Sequence, residues 1–148
     1  MAIEQLKLQN QLCFRLYTAS RLITQAYEPF LKPLGITYTQ YLVLMVLWEK
    51  DDQPVNDIAK KLKLGLNTVS PLIRRMEMLG ILSRHGSDSD KRQQLVFLTE
   101  KGKDLQNKCE SIPNCMVDLL KDCDICLEKL ISMIPVLDEL INKLGGNE

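Results

Sequence analysis

At 148 residues, 45% of them apolar, the chain is long enough for one domain with a proper core and too apolar for global disorder. Net charge is zero, yet between Lys60 and Arg92 eight basic residues stand against three acidic ones (Glu77, Asp88 and Asp90), a local +5 between ends that together carry −5. No run of eighteen apolar residues exists, which argues against a membrane-spanning helix, and five cysteines, an odd number, argue against a purely intramolecular disulfide framework.

The opening MAIEQLKLQNQL lacks the apolar region of a signal peptide, so a cytoplasmic chain with reduced thiols is expected. Apolar residues three and four apart (Leu8, Leu12, Leu16, then Ile23, Tyr27, Phe30 and Leu31) predict one long helix over residues 4–31, ended by Pro33 and Gly35. Thr37 stands three residues before Gln40 in a capping-box arrangement, and the mostly apolar Tyr38–Trp48 follows as a buried second helix. Asp51–Pro54 is a turn, with a short extended piece at Pro54-Val55.

Residues 55–99 carry the informative pattern. Val55–Leu62 reads as a helix with Ile58, Ala59 and Leu62 inward, and the small Ala59 permits a close helix crossing. Lys63–Gly65 makes a tight turn in which Gly65 serves as N-cap or takes a left-handed angle. From about Leu66 to Leu79 a second helix turns Val69, Leu72, Ile73, Met76 and Leu79 inward and Asn67, Thr68, Ser70, Arg74 and Arg75 outward, with Gly80 just past its end. Ile81–Arg84 and Gln94–Leu98 read as two strands around a polar tip. Thr99 caps a further helix containing Leu105, Pro113 breaks or kinks it, and Met116–Leu144 is amphipathic with a bend at Pro135. The ends hold more apolar surface than one such module covers, which predicts a two-fold dimer.

The expected fold is therefore mainly α with a small β wing: a winged helix-turn-helix with N- and C-terminal dimerisation helices. Residues 1–148 form one domain, 55–99 the DNA-binding part, and 1–34 and 113–148 the dimerisation helices. A helix of about 14 residues is about 21 Å long and fits a major groove roughly 12 Å wide. Asn67, Thr68 and Ser70 near its N-terminus suit base edges. Arg74 and Arg75 suit phosphate or guanine, and Lys60, Lys61 and Lys63 suit phosphate. In the wing, Lys91 adds charge, Arg92 suits the adjacent minor groove, and Asp90 fixes the arginine or the hairpin. Ordinary capping and surface polarity are the bland alternative for these positions. No nucleotide loop, carboxylate pair or Cys-His pairing appears, so no enzyme and no cofactor are expected. Cys123-x-x-Cys126 is short of a metal set, because the one histidine, His85, lies in the wing. Cys13, beside Leu12 and Leu16, reads from spacing alone as a small inert helix residue.

Leu79-Gly80-Ile81-Leu82, Asp88-x-Asp-Lys-Arg92 and Leu98-Thr-Glu-Lys-Gly102 resemble the MarR family of winged-helix repressors, in order and over nearly the whole chain. Gly65-Leu66-Asn67-Thr68 departs from the Asp or Ser cap common there. Asn10-Gln-Leu-Cys-Phe14, Tyr17, Ala26-Tyr27-Glu-Pro-Phe-Leu31 and Thr37-Tyr-x-Gln-Tyr-Leu42 are similar to its organic-hydroperoxide-sensing, OhrR-like branch. That resemblance implies a homodimer on a palindromic operator in double-stranded DNA. It implies Cys13 as peroxide sensor, with Tyr17 and Tyr27 of the other subunit as hydrogen-bond partners of its thiolate. Oxidation to sulfenic acid would move the helices and change the spacing of the two recognition helices, which must sit about 34 Å apart. A disulfide would then close with Cys115 or Cys123, or with a low-molecular-weight thiol. Release by a phenolic or other apolar ligand, and a broader thiol-based redox regulator, remain alternatives within the same fold.

Overall fold

Two compact units make up the chain, Met1–Tyr38 and Thr39–Glu148. The computed structural model describes residues 1–89 and 92–146.

The first unit differs at its start from the single helix expected. Glu4–Leu6 and Leu8–Asn10 are separate 3-10 turns, and α1 begins only at Leu12, running to Ala26. Lys7 and Gln11 between them are extended. Polar side chains explain the break, because they take carbonyls that a continuous helix would use. The Asn10 amide donates to the Glu4 carbonyl at 2.8 Å, the Gln11 amide to Gln5 at 2.7 Å, and Arg15 to the Gln9 and Gln11 carbonyls at 2.6 and 2.9 Å. The short α2 (Glu28–Leu31) and a 3-10 turn (Lys32–Leu34) follow.

Helix α3 (Tyr38–Glu49) starts directly after Thr37; Tyr38 closes the first unit, and the rest of the helix opens the second and contributes Val43, Leu44 and Leu47, each fully buried. The two-residue β1 (Gln53–Pro54) precedes α4 (Val55–Leu62) and α5 (Leu66–Met78). β2 (Leu82–Gly86) and β3 (Gln94–Leu98) form the wing hairpin. The sheet order is β1-β3-β2, antiparallel throughout, with Gln53 opposite Val96 and Leu82 opposite Leu98. Ile58, Val69, Ile73, Met76, Ile81 and Val96 complete the core around α3.

Behind the wing come α6 (Glu100–Cys109) and α7 (Ile112–Asp122). Thr99 caps α6 as expected, its hydroxyl accepting from the Gly102 N–H at 3.3 Å. Pro113 falls in the first turn of α7, where its missing N–H is no loss. The amphipathic run beyond Met116 is not one bent helix. It breaks after Asp122, where Asp124 is left-handed, into α8 (Leu127–Ile131) and α9 (Ile134–Leu144), with Pro135 in the first turn of α9. Among the described residues no single helix is long and apolar enough to cross a membrane.

Candidate DNA interface and thiol site

The helix-turn-helix is set by how α4 and α5 end. At the end of α4 the Leu64 N–H reaches the Ala59 carbonyl and the Lys63 N–H the Lys60 carbonyl, both at 3.1 Å. This Schellman pattern puts Lys63 at φ 55°, in the left-handed region usually left to glycine. Gly65, expected either as N-cap or at a left-handed angle, is the extended N-cap of α5. α5 ends the same way: Ile81 N–H to Met76 carbonyl at 3.0 Å, Gly80 N–H to Glu77 carbonyl at 2.9 Å, and Gly80 at φ 75°. That turn aims the chain directly into β2. Arg84 of β2 reaches back to Glu77 of α5 (Nε–Oε1 2.5 Å), tying the wing to the helix.

This scaffold leaves Lys60, Lys61 and Lys63 exposed at the turn, Asn67, Thr68, Arg74 and Arg75 exposed on α5, and Ser70 half-buried beside the core. Arg92 is exposed at the foot of β3, while Asp90 and Lys91 lie outside the described residues. The periodicity singled out neither Pro71, which stands inside α5 on its exposed side, nor the Glu77–Arg84 pair. A proline in the middle of a 3.6-residue pattern was the available signal for the first. The second joins residues seven apart in different elements and left none.

The base of the wing carries a second polar lock. The Asp51 carboxylate accepts from the Asp52 and Leu98 N–H groups at 2.8 and 3.0 Å. His85 Nε2 lies 2.6 Å from the Asp52 carboxylate and Nδ1 2.9 Å from the Gly86 carbonyl. The hydrogen bond to Gly86, then that to Asp52, hold the imidazole's pKa above its ordinary value.

In the first unit Cys13 is the second residue of α1 and is exposed. Tyr17, one turn on along the same face, is 69% exposed. Tyr27 is half-buried just past the end of α1, its ring 4.8 Å from that of Tyr38. Burial raises both phenols' pKa, and for Tyr38 the neighbouring Tyr27 adds to it, so both stay O–H donors at neutral pH. The structure therefore groups Cys13 with Tyr17 but not with Tyr27. Tyr27 comes fourteen positions after Cys13, roughly 21 Å along the helix axis. The α1 surface is unusually apolar, with Leu12, Phe14, Leu22 and Ile23 all exposed.

Of the other thiols, Cys109 is buried and its pKa is pushed up by that burial. Cys115 is half-buried in α7, and Cys123 and Cys126 are exposed on either side of the Asp124 turn. Among the described residues no three His, Cys, Asp or Glu side chains gather as a metal set.

Residues 25–109 match the family described as transcriptional regulator SarA/Rot. The organic hydroperoxide resistance transcriptional regulator of Bacillus subtilis (strain 168) is 39% identical over 140 residues, 95% of each chain. Among solved structures, reduced AbfR bound to DNA shares 39% identity and a TM-score of 0.76 over 95% of this chain and 96% of that one. AbfR, a protein of Staphylococcus epidermidis, is also known in a disulfide form, with 40% identity and a TM-score of 0.63 over 94% and 96% of the two chains. A helix-turn-helix carrying a wing, helices at both ends and these relatives agree: the chain belongs to the SarA/Rot family of transcriptional regulators, which are MarR-like winged-helix proteins.

Proposed function

We propose that the chain is a homodimeric, cytoplasmic repressor that releases its operator when an organic hydroperoxide oxidises Cys13. The carrying observation is Cys13 itself, an accessible thiol among exposed apolar side chains on α1. Apolar surroundings favour an organic hydroperoxide over hydrogen peroxide. The thiolate attacks the terminal peroxide oxygen, the O–O bond breaks, and the products are a sulfenic acid and an alcohol. Condensation with a second thiol then gives a disulfide and water. Cys115 or Cys123 of a second copy, or a small cellular thiol, supplies that group.

Two copies cover the apolar residues left open at both ends, including Leu12, Leu22, Ile134, Val136 and Ile141. Tyr17 and Tyr27 then meet Cys13 from the partner subunit, which accounts for Tyr27 lying too far away along its own helix. On DNA, α5 enters the major groove with Asn67, Thr68, Ser70, Arg74 and Arg75. Lys60, Lys61 and Lys63 hold phosphate, and Asp90, Lys91 and Arg92 take the wing toward the minor groove. Polar bulk added at Cys13 shifts the packed end helices and so the distance between the two copies of α5.

The test is a gel shift on the promoter of the chain's own gene, before and after cumene hydroperoxide. Wild type lets go and recovers with reductant, while Cys13→Ser binds and stays bound. Release of the Cys13→Ser protein by the oxidant sinks the reading. Mass analysis of the oxidised protein separates a disulfide between copies from a mixed disulfide with the small thiol.

A second reading is favoured by an open pocket of about 490 Å³ lined by Tyr41, Met45, Trp48, Cys109 and Pro113 and by the polar Gln106, Asn107 and Glu110. An apolar or phenolic ligand there would release DNA with every thiol alkylated, which the thiol mechanism forbids.

A further inference from the structure

α5 carries a proline where a helix tolerates one poorly. Pro71 is the sixth residue of Leu66–Met78. It has no N–H for the Asn67 carbonyl four residues back, and its ring crowds that carbonyl. The buried face of α5 is Val69, Leu72, Ile73 and Met76, and Pro71 is exposed on the other side. At about 100° per residue, Asn67, Pro71, Arg74 and Met78 fall in one strip, and all four are exposed.

The neighbouring exposed leucines have internal explanations. Leu66 precedes Val69 and Ile73 by three and seven residues and so forms the rim of the buried stripe. Leu64 follows the left-handed Lys63 and lies beside Ala59, the place a Schellman turn gives an apolar residue. Pro71 has no such account.

We propose that Pro71 is a base-reading residue whose ring lies against the C5-methyl group of a thymine in the major groove, between the polar contacts of Asn67 and Arg74. This rests on the reading of α5 as the helix that enters DNA. Thymine alone offers an apolar group on the major-groove edge. A proline meets it with a rigid apolar ring. Met78, seven residues further on and about 10 Å along the axis, lies toward the end of the helix that leaves the groove.

Duplexes enriched from a random pool by the full-length reduced protein at fixed salt provide the probe, each thymine then being replaced by deoxyuridine, which lacks the methyl. For wild type one thymine per half-site shows about a fourfold loss, the worth of one buried methyl. Pro71→Ser binds the thymine and uracil duplexes equally and melts at a higher temperature, because the helix regains its hydrogen bond. Indifference of wild type to every uracil, or the same sensitivity in Pro71→Ser, overturns the proposal. So does a lower melting temperature in Pro71→Ser, or a weakening uniform across sequences, either of which assigns the proline to shaping the helix. A pool that fails to enrich overturns the DNA-binding reading itself, a result distinct from enrichment without methyl sensitivity.

Discussion

Replacing Gly102 with alanine sets two effects of opposite sign against each other. Gly102 is a helical residue of α6, so propensity alone favours alanine there by up to about 1 kcal/mol. A Cβ at Gly102, however, would fall well inside contact distance of the Ile81 carbonyl oxygen and 3.1 Å from Leu98 Cδ2. That carbonyl is not free to move, since it accepts the Thr99 N–H at 3.1 Å and lies 3.0 Å from the Thr99 hydroxyl. The helix must shift instead, which also disturbs the Trp48 Nε1–H bond to the Gly102 carbonyl at 3.0 Å. Overpacking against fixed backbone costs about 1–3 kcal/mol and a lost hydrogen bond about 1 kcal/mol. The net expectation is a loss of about 1–3 kcal/mol, or roughly 3–10 °C in melting temperature for a chain of this size. Circular dichroism melts of wild type and Gly102→Ala measure it. A variant that melts at or above the wild-type temperature refutes the close-approach argument and leaves propensity in charge.

Lys63→Gly relieves the left-handed strain at φ 55° and is expected to stabilise the free protein by about 0.5 kcal/mol after the entropy of glycine is counted. The same variant loses a phosphate contact, so the slope of log affinity against log salt becomes shallower by about one per site; an unchanged slope removes Lys63 from the interface. The His85–Asp52 contact carries a pH signature. A raised folded pKa stabilises fully below the imidazole's ordinary value of 6.5 and fades as pH rises through the folded value. Asp52→Asn therefore lowers the melting temperature relative to wild type at about pH 6, and the gap narrows by about pH 8.5; a constant gap contradicts the assignment. Tyr17→Phe and Tyr27→Phe are each expected to slow oxidation of Cys13 by about tenfold, through loss of a hydrogen bond to the thiolate, with DNA binding in reductant intact. Thiol-loss kinetics with cumene hydroperoxide read this directly.

Much of the DNA-binding half was legible because its signals are local. Val55–Leu62 is the helix that was expected, the second helix stops one residue earlier than its apolar spacing allowed, and Gly80 and Thr99 occupy the cap positions their chemistry indicates. The motif Leu98-Thr-Glu-Lys-Gly102 also gains a physical meaning. Thr99 caps the helix, and Gly102 lets α6 approach the Ile81 carbonyl and Leu98. The failures lie where side chains compete with backbone or where one dihedral angle decides. Asn10, Gln11 and Arg15 look like the polar face of a helix but bind carbonyls and delay it to Leu12. The left-handed angle that glycine would favour fell to Lys63, and Asp124 breaks the C-terminal run with no glycine or proline to announce it. The assignment of Cys13 as sensor rests on resemblance alone, because a cysteine on an apolar helix has no spacing of its own.

The clamp at the base of the wing has a consequence for how the module assembles. β1 pairs with β3, and the Asp51 carboxylate binds the Leu98 N–H across a sequence separation of 47 residues. The helix-turn-helix and the whole hairpin therefore sit inside one closed loop. Each helix and the hairpin form from near neighbours, but sealing the loop is a non-local event, slower than any of them. Until it closes, the recognition helix and the wing exist as pieces without a common frame. Sequence changes at the wing tip should therefore be kinetically silent, whereas changes at Asp51 or Gln53 should slow folding.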